Sequence, residues 1–153
     1  MQIGYAAVLT LMTVAATCGA QGIVSNARTA SEDAFVAAPQ SHEVLYEDEK
    51  IRLLSVTLLP GESTPMHHHA MPSVLIIDSY ATLTELFEGG IEIAGGQMPA
   101  DTQIPFVMVR GPEDAHAVSN TDTKPLHLYR LEFKDLEFQN IRRALEQVGE
   151  QIE

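Results

Sequence analysis

The chain has 153 residues, 45% of them apolar and 20% charged, with ten Gly, eight Pro, a single Cys and no Trp, an ordinary composition for one globular domain. That balance excludes a disulfide scaffold, a collagen-like repeat and a multidomain assembly. Nine basic against 21 acidic side chains give a formal net charge of −12, which offers nucleic acid no basic surface and makes a bound cation a natural partner.

From Ile3 to Ala20 no residue is charged, and Ala6 to Ala16 is a continuous run of Ala, Val, Leu, Met and Thr. Residues 1–20 therefore read as a signal peptide, with small residues at Cys18, Gly19 and Ala20 and cleavage before Gln21. The mature chain is then expected in the periplasm or outside the cell, free of cysteine and free of the membrane. A cytoplasmic chain, an uncleaved anchor and a lipid on Cys18 are the alternatives, the last fitting Ala15 and Thr17 poorly. Residues 21–40 are rich in Ala, Ser, Thr and Asn without periodicity and read as a flexible leader.

The domain is expected to begin near Ser41 and to run to residue 134. Short runs of Val, Ile, Leu and Tyr alternate with turn residues at a spacing typical of an all-β sandwich or barrel. Strands are predicted at Val44 to Tyr46, Ile51 to Leu59, Pro65 to His69, Ser73 to Ile77, Ala81 to Phe87, Ile91 to Ala94, Ile104 to Val109, Ala115 to Ser119 and Leu126 to Phe133. Pro60-Gly61, Asp78-Ser79, Gly89-Gly90, Gly95-Gly96, Gly111-Pro112 and Asn120-Thr121-Asp122 supply the turns. Residues 135–153 read as a C-terminal helix capped by Asp135, with Leu136, Ile141, Leu145 and Val148 along one face.

Three of the six histidines are consecutive, at His67, His68 and His69. On a strand, residues two apart share a face, so His67 and His69 project together while His68 points away into a structural or rim role. His116, on a later strand just after a Gly-Pro turn, can be brought opposite the pair by antiparallel pairing. Neutral imidazoles suit Zn, Fe, Cu and Ni, and three of them leave coordination positions open.

These residues resemble the two motifs of the cupin superfamily. Gly61, His67 and His69 match the first, and His116 with Asn120 matches the second. His67 to Val74 reads His-x-His-x-x-Pro-Ser-Val and Pro112 to Asn120 reads Pro-Glu-x-x-His-Ala-Val-x-Asn, as in short single-domain cupins. The resemblance covers Ser41 to Phe133 and implies a double-stranded β-helix, a jelly-roll barrel with a mononuclear metal inside. It departs where the first motif has a Glu, since Ser73 and Val74 stand there, and where it has a Gly, which is Tyr80. Before His116, Gly111 and Glu113 replace a Pro and a Gly. The implied ligand set is thus His67, His69 and His116 without a carboxylate, around a divalent metal with Fe(II) favoured over Zn, Mn, Ni or Cu. Glu85 and Glu88 are the carboxylates able to stand in for the absent Glu, and Glu113, Asp114 and Asn120 lie near His116 in the chain.

Candidates for work beside the metal are His127, Tyr129 and Arg130. His127 shares a strand face with Tyr129, Leu131 and Phe133 that could line a cavity, although a satisfied core histidine is the simpler reading. Arg52, Arg110 and Arg130 are expected in ion pairs or on solvated faces, with one inside the barrel able to clamp a carboxylate. His42 has no motif context, and Met66, Met71, Met98 and Met108 read as apolar filler. The expected function is a metal-dependent oxidoreductase, of dioxygenase type, on a small molecule. A lyase or isomerase and a non-catalytic exported binding protein are the alternatives, and the resemblance adds a homodimer.

Overall fold

The computed structural model describes residues 32–95 and 102–150, residues 145–150 by backbone alone. Two helices, α1 (Ala34–Ala37) and α2 (Phe138–Glu150), flank nine strands among the described residues. The strands are β1 (His42–Glu47), β2 (Ile51–Leu58), β3 (His67–His69), β4 (Ser73–Ser79), β5 (Leu83–Phe87), β6 (Glu92–Ala94), β7 (Phe106–Arg110), β8 (Glu113–Asn120) and β9 (Leu126–Phe133). They pair antiparallel in two sheets, of order β1-β2-β9-β4-β7 and β3-β8-β5-β6. The fold is an all-β double-stranded β-helix around a cavity, with a helix at its C-terminal end.

Period-two alternation decides what fills the barrel. On β2 the buried face carries Arg52, Leu54, Val56 and Leu58, and on β9 it carries Leu126, Leu128, Arg130 and Glu132. Their register sets Leu58 against Leu126, Val56 against Leu128, Leu54 against Arg130 and Arg52 against Glu132. The interior is therefore graded, apolar at one end and charged at the other. Leu75, Ile77 and Ala81 complete the apolar end, where each fully buried Leu or Ile contributes roughly 1.5–3 kcal/mol.

Gly61 supplies the left-handed turn, at φ +79°, that sends the chain from β2 back along β8. Gly61 N–H then donates to the Asn120 carbonyl, Asn120 N–H to Glu62 and Thr64 N–H to Val118. This zipper delivers β3 to the edge of β8. Gly89 and Gly90, at φ +86° and +80°, turn β5 into β6.

Residues 32–40, expected within a flexible leader, instead pack on the barrel. Four residues of helix are too few to leave a periodic pattern, and tertiary contacts fix them. Ala34 and Ala38 are buried, Asp33 pairs with Arg52 at 3.2 Å, and the Phe35 ring lies 4.1 Å from the Arg52 guanidinium. At the other end α2 starts at Phe138, where the Glu137 carbonyl accepts the first helical amide bonds, so Asp135 is not its cap. Ile141 is buried and α2 lies against β7. The side chains of Leu145 and Val148, the proposed signal peptide, Met98 and Gly96 lie outside what is described.

Candidate metal centre

The three histidines of β3 are all buried. His67 pairs with His116 across the β3–β8 ladder, and a register shift then sets His69 against Glu113. His68, on the opposite side of β3, is no rim residue: it is buried and bridges by its backbone to Asp33.

His42 joins this group, which no local sequence signal announced. It opens β1 opposite Val56 and is buried, whereas the rest of β1 is exposed. Its ring centroid lies 4.9 Å from that of His67 and 5.4 Å from that of His69. His67 stands 5.3 Å from His69 and 4.7 Å from His116, and His69 stands 5.9 Å from His116. Candidate ligand atoms of His42, His67 and His69 fall within 4.8 Å of one another, so His42 stands in this converging group where the sequence placed His116. Two nitrogens on one tetrahedral ion are about 3.4 Å apart at bonds of ~2.1 Å, so the rings would draw together by roughly an ångström around an ion.

All four imidazoles share one hydrogen-bond pattern. Nδ1 of His42 donates to the Ala38 carbonyl at 3.3 Å, His67 to Pro65 at 2.9 Å and His116 to Asp114 at 2.7 Å. Nδ1 of His69 donates to the Glu132 carboxylate at 3.1 Å. A carbonyl can only accept, so Nδ1 carries the proton and Nε2 keeps the lone pair a metal requires. Burial keeps the rings of His42, His67 and His69 neutral. It pushes His42 down to about 3, with His67 nearby adding to the effect, and His67 down to about 4. His69 is held well below 6.5, again by burial and then by the Arg130 charge.

Glu132, 1% exposed, is the hub behind His69. Its Oε2 accepts Arg52 Nη1 at 3.1 Å and its Oε1 lies 3.4 Å from Arg130 Nε. Burial raises its pKa, against the pull of Arg130 and Arg52. Arg130 also donates to Glu113, which Arg110 approaches at 3.9 Å.

The cavity beside the histidines has a volume of about 270 Å³. Val56, Leu58, Leu75, Ile77, Leu126 and Leu128 wall one side, and Arg130, Arg110, Glu113 and Glu85 stand with His42, His67, His69 and His116 on the other. Glu85 thus reaches the cavity while Glu88 sits in the β5–β6 turn, and no carboxylate joins the ligand group among the described residues. Asn120 serves the fold, its amide donating to the carbonyls of Leu58 and Lys124 and accepting from Asp122 N–H.

Of the three residues considered for catalysis, the barrel interior receives Arg130. His127 and Tyr129 occupy the outer face of the five-stranded sheet, because β9 turns its even-numbered residues inward. There His127 bonds Ser55 and Asp78. That chain has the order of a Ser-His-Asp relay, but the adjoining amides belong to the β2–β9 and β4–β9 ladders and form no oxyanion pocket.

The chain thus forms a double-stranded β-helix with imidazoles gathered at one end of its cavity. Many solved structures that resemble it are cupin or RmlC-like proteins. A cupin domain from Bordetella pertussis Tohama I aligns at 18% identity and a TM-score of 0.49, over 61% of this chain and 91% of that one. An RmlC-like cupin from Desulfovibrio desulfuricans aligns at 17% identity and 0.40, over 63% and 86%. One from Methanocaldococcus jannaschii aligns at 17% and 0.39, over 60% and 77%. No protein-family model and no curated protein matches the sequence. At these identities and TM-scores the fold and the site rest on this chain's own residues.

Proposed function

We propose that this chain is a mononuclear metalloenzyme of oxidoreductase type, a dioxygenase acting on a small molecule in the barrel cavity. The observation that supports this reading is the shared tethering of the imidazoles, whose Nδ1 protons are all committed behind them. His67, His69 and His116 would hold the ion. The neutral nitrogen donors suit Fe, Zn, Ni and Cu, and Fe(II) when bound would supply a Lewis acid and an electron donor to dioxygen.

The chain's own residues set the rest. The Val56, Leu75 and Leu128 wall excludes water from one side of the substrate. Arg130 and Glu113, paired with each other, fix the polar side and present directional groups to a substrate that has both an apolar body and a polar end. Glu132 holds the His69 ring in orientation.

The test is the metal content of the tag-free chain, beside the variants His67→Ala and His116→Ala, followed by oxygen uptake against candidate substrates. About one iron per chain, lost in both variants, with substrate-dependent oxygen consumption is the expected result. Turnover that persists without oxygen would replace the oxidoreductase by a lyase or isomerase. Folded protein that takes up no metal on reconstitution would overturn the metalloenzyme.

A further inference from the structure

His42 is the one imidazole of the cluster that neither histidine motif contains. It comes from β1, at the edge of the five-stranded sheet, while His67 and His116 belong to the other sheet. It is nonetheless buried to 5% exposure, faces the cavity and lies nearer to the His67 ring than His69 does. Its Nδ1–H is spent on the Ala38 carbonyl, as those of His67 and His116 are spent on Pro65 and Asp114. Any buried imidazole must place its N–H on an acceptor, and here that bond leaves Nε2 as the lone-pair nitrogen and fixes the ring plane beside His67, as a ligand requires.

We propose that His42 is a fourth imidazole ligand of the ion held by His67, His69 and His116, so that the barrel carries an all-nitrogen sphere in place of three histidines and a carboxylate. This rests on the metal-binding reading above. The rival for the fourth position is Glu113, but its carboxylate is taken by Arg130 and approached by Arg110. Glu85 lines the cavity from β5, where it pairs with Val118, two positions along β8 from His116.

The sphere then depends on the segment before β1. Ala38 orients His42, and Asp33 pairs with Arg52, which grips Glu132, which in turn orients His69. Two of the four ligands are thus positioned from residues 33–38. A set of four neutral imidazoles also leaves the full charge of the ion uncompensated, which favours an anionic chelating group on the substrate. In a tetrahedral ion four imidazoles fill every position, whereas in an octahedral one they leave two positions open.

The experiment is a Co(II) titration of the full, tag-free chain followed by visible absorption, beside His42→Phe and His42→Ala, with thermal unfolding monitored for each. His42→Phe keeps a ring in the packing and removes the nitrogen, so it reports even where His42→Ala fails to fold. The expected result is one Co(II) per wild-type chain, affinity in the variants lower by at least the roughly 10-fold that loss of even an outer-shell partner costs, and a changed d–d spectrum. Free imidazole should restore the wild-type band in His42→Ala and leave His42→Phe unaltered. A folded His42→Phe with wild-type affinity and spectrum would overturn the fourth ligand while leaving the three-histidine site standing. No Co(II) uptake by the wild-type chain would overturn both.

Discussion

His69 donates its Nδ1 proton to Glu132 across 3.1 Å, on a carboxylate that is 1% exposed and that also receives Arg52 at 3.1 Å. Glu132→Gln keeps the shape and removes the charge, leaving Arg52 and Arg130 short of a buried counter-ion. Breaking such a pair costs on the order of 3–5 kcal/mol, and loosening a ligand's partner costs about 10- to 100-fold in metal affinity. Urea unfolding of the metal-free protein and competition with a chelating dye measure the two effects. If neither changes, Glu132 does not orient His69.

The metal-free protein should lose stability as the pH falls below about 6.5, the ordinary histidine value. The folded imidazoles titrate lower, His42 at about 3, His67 at about 4 and His69 well below 6.5, each chiefly through burial. The unfolded chain therefore binds more protons over that interval. Stability is complete above 6.5 and declines toward pH 4, by up to about 1.4 kcal/mol per pH unit for each imidazole. Glu132, whose pKa burial raises, acts with the opposite sign, but one carboxyl stands against three imidazoles. Urea midpoints taken from about pH 7 to about pH 5 should fall, and more gently in His42→Phe. A flat profile would mean that the rings are reached by water.

What the sequence made legible was local. His67, His69 and the turn at Gly61 lie within nine positions of one another, and strand alternation alone puts the two rings on one face. His42 was invisible because only the pairing of β1 with β2, opposite Val56, brings it inward. The face of β9 was ambiguous for a different reason. Leu126 and Leu128 recommend one side and Leu131 and Phe133 the other, and the charges of Arg130 and Glu132 argued against the side that is buried. Those charges are tolerated inside because Arg52 and Glu113 meet them. The segment from Asp33 to Ala38 carries no period and is placed by an ion pair with a residue of β2.

Asn120 separates a structural from a ligand-supporting role. Its side chain makes three hydrogen bonds, to the Leu58 and Lys124 carbonyls and from Asp122 N–H, and none to a histidine. Asn120→Ala leaves the buried Leu58 carbonyl without this donor and should destabilise the chain by about 1–3 kcal/mol. Metal uptake per folded molecule should stay at the wild-type level. A selective loss of metal at unchanged stability would return Asn120 to the site.

Metal binding should raise the unfolding temperature, because the ligand atoms converge only in the folded chain. With Zn(II) at a hundred times its Kd, the gain is about 2.7 kcal/mol. His67→Ala removes the ring shared by the closest contacts, 4.7 Å to His116 and 4.9 Å to His42, and should abolish the shift. His127→Ala should keep it in full, since His127 lies on the outer face of the sheet, bonded to Ser55 and Asp78. Calorimetry of the wild-type and variant chains with and without Zn(II) decides the matter. A shift that survives in His67→Ala and disappears in His127→Ala would place the ion outside the barrel and remove the basis for an enzyme working in its cavity.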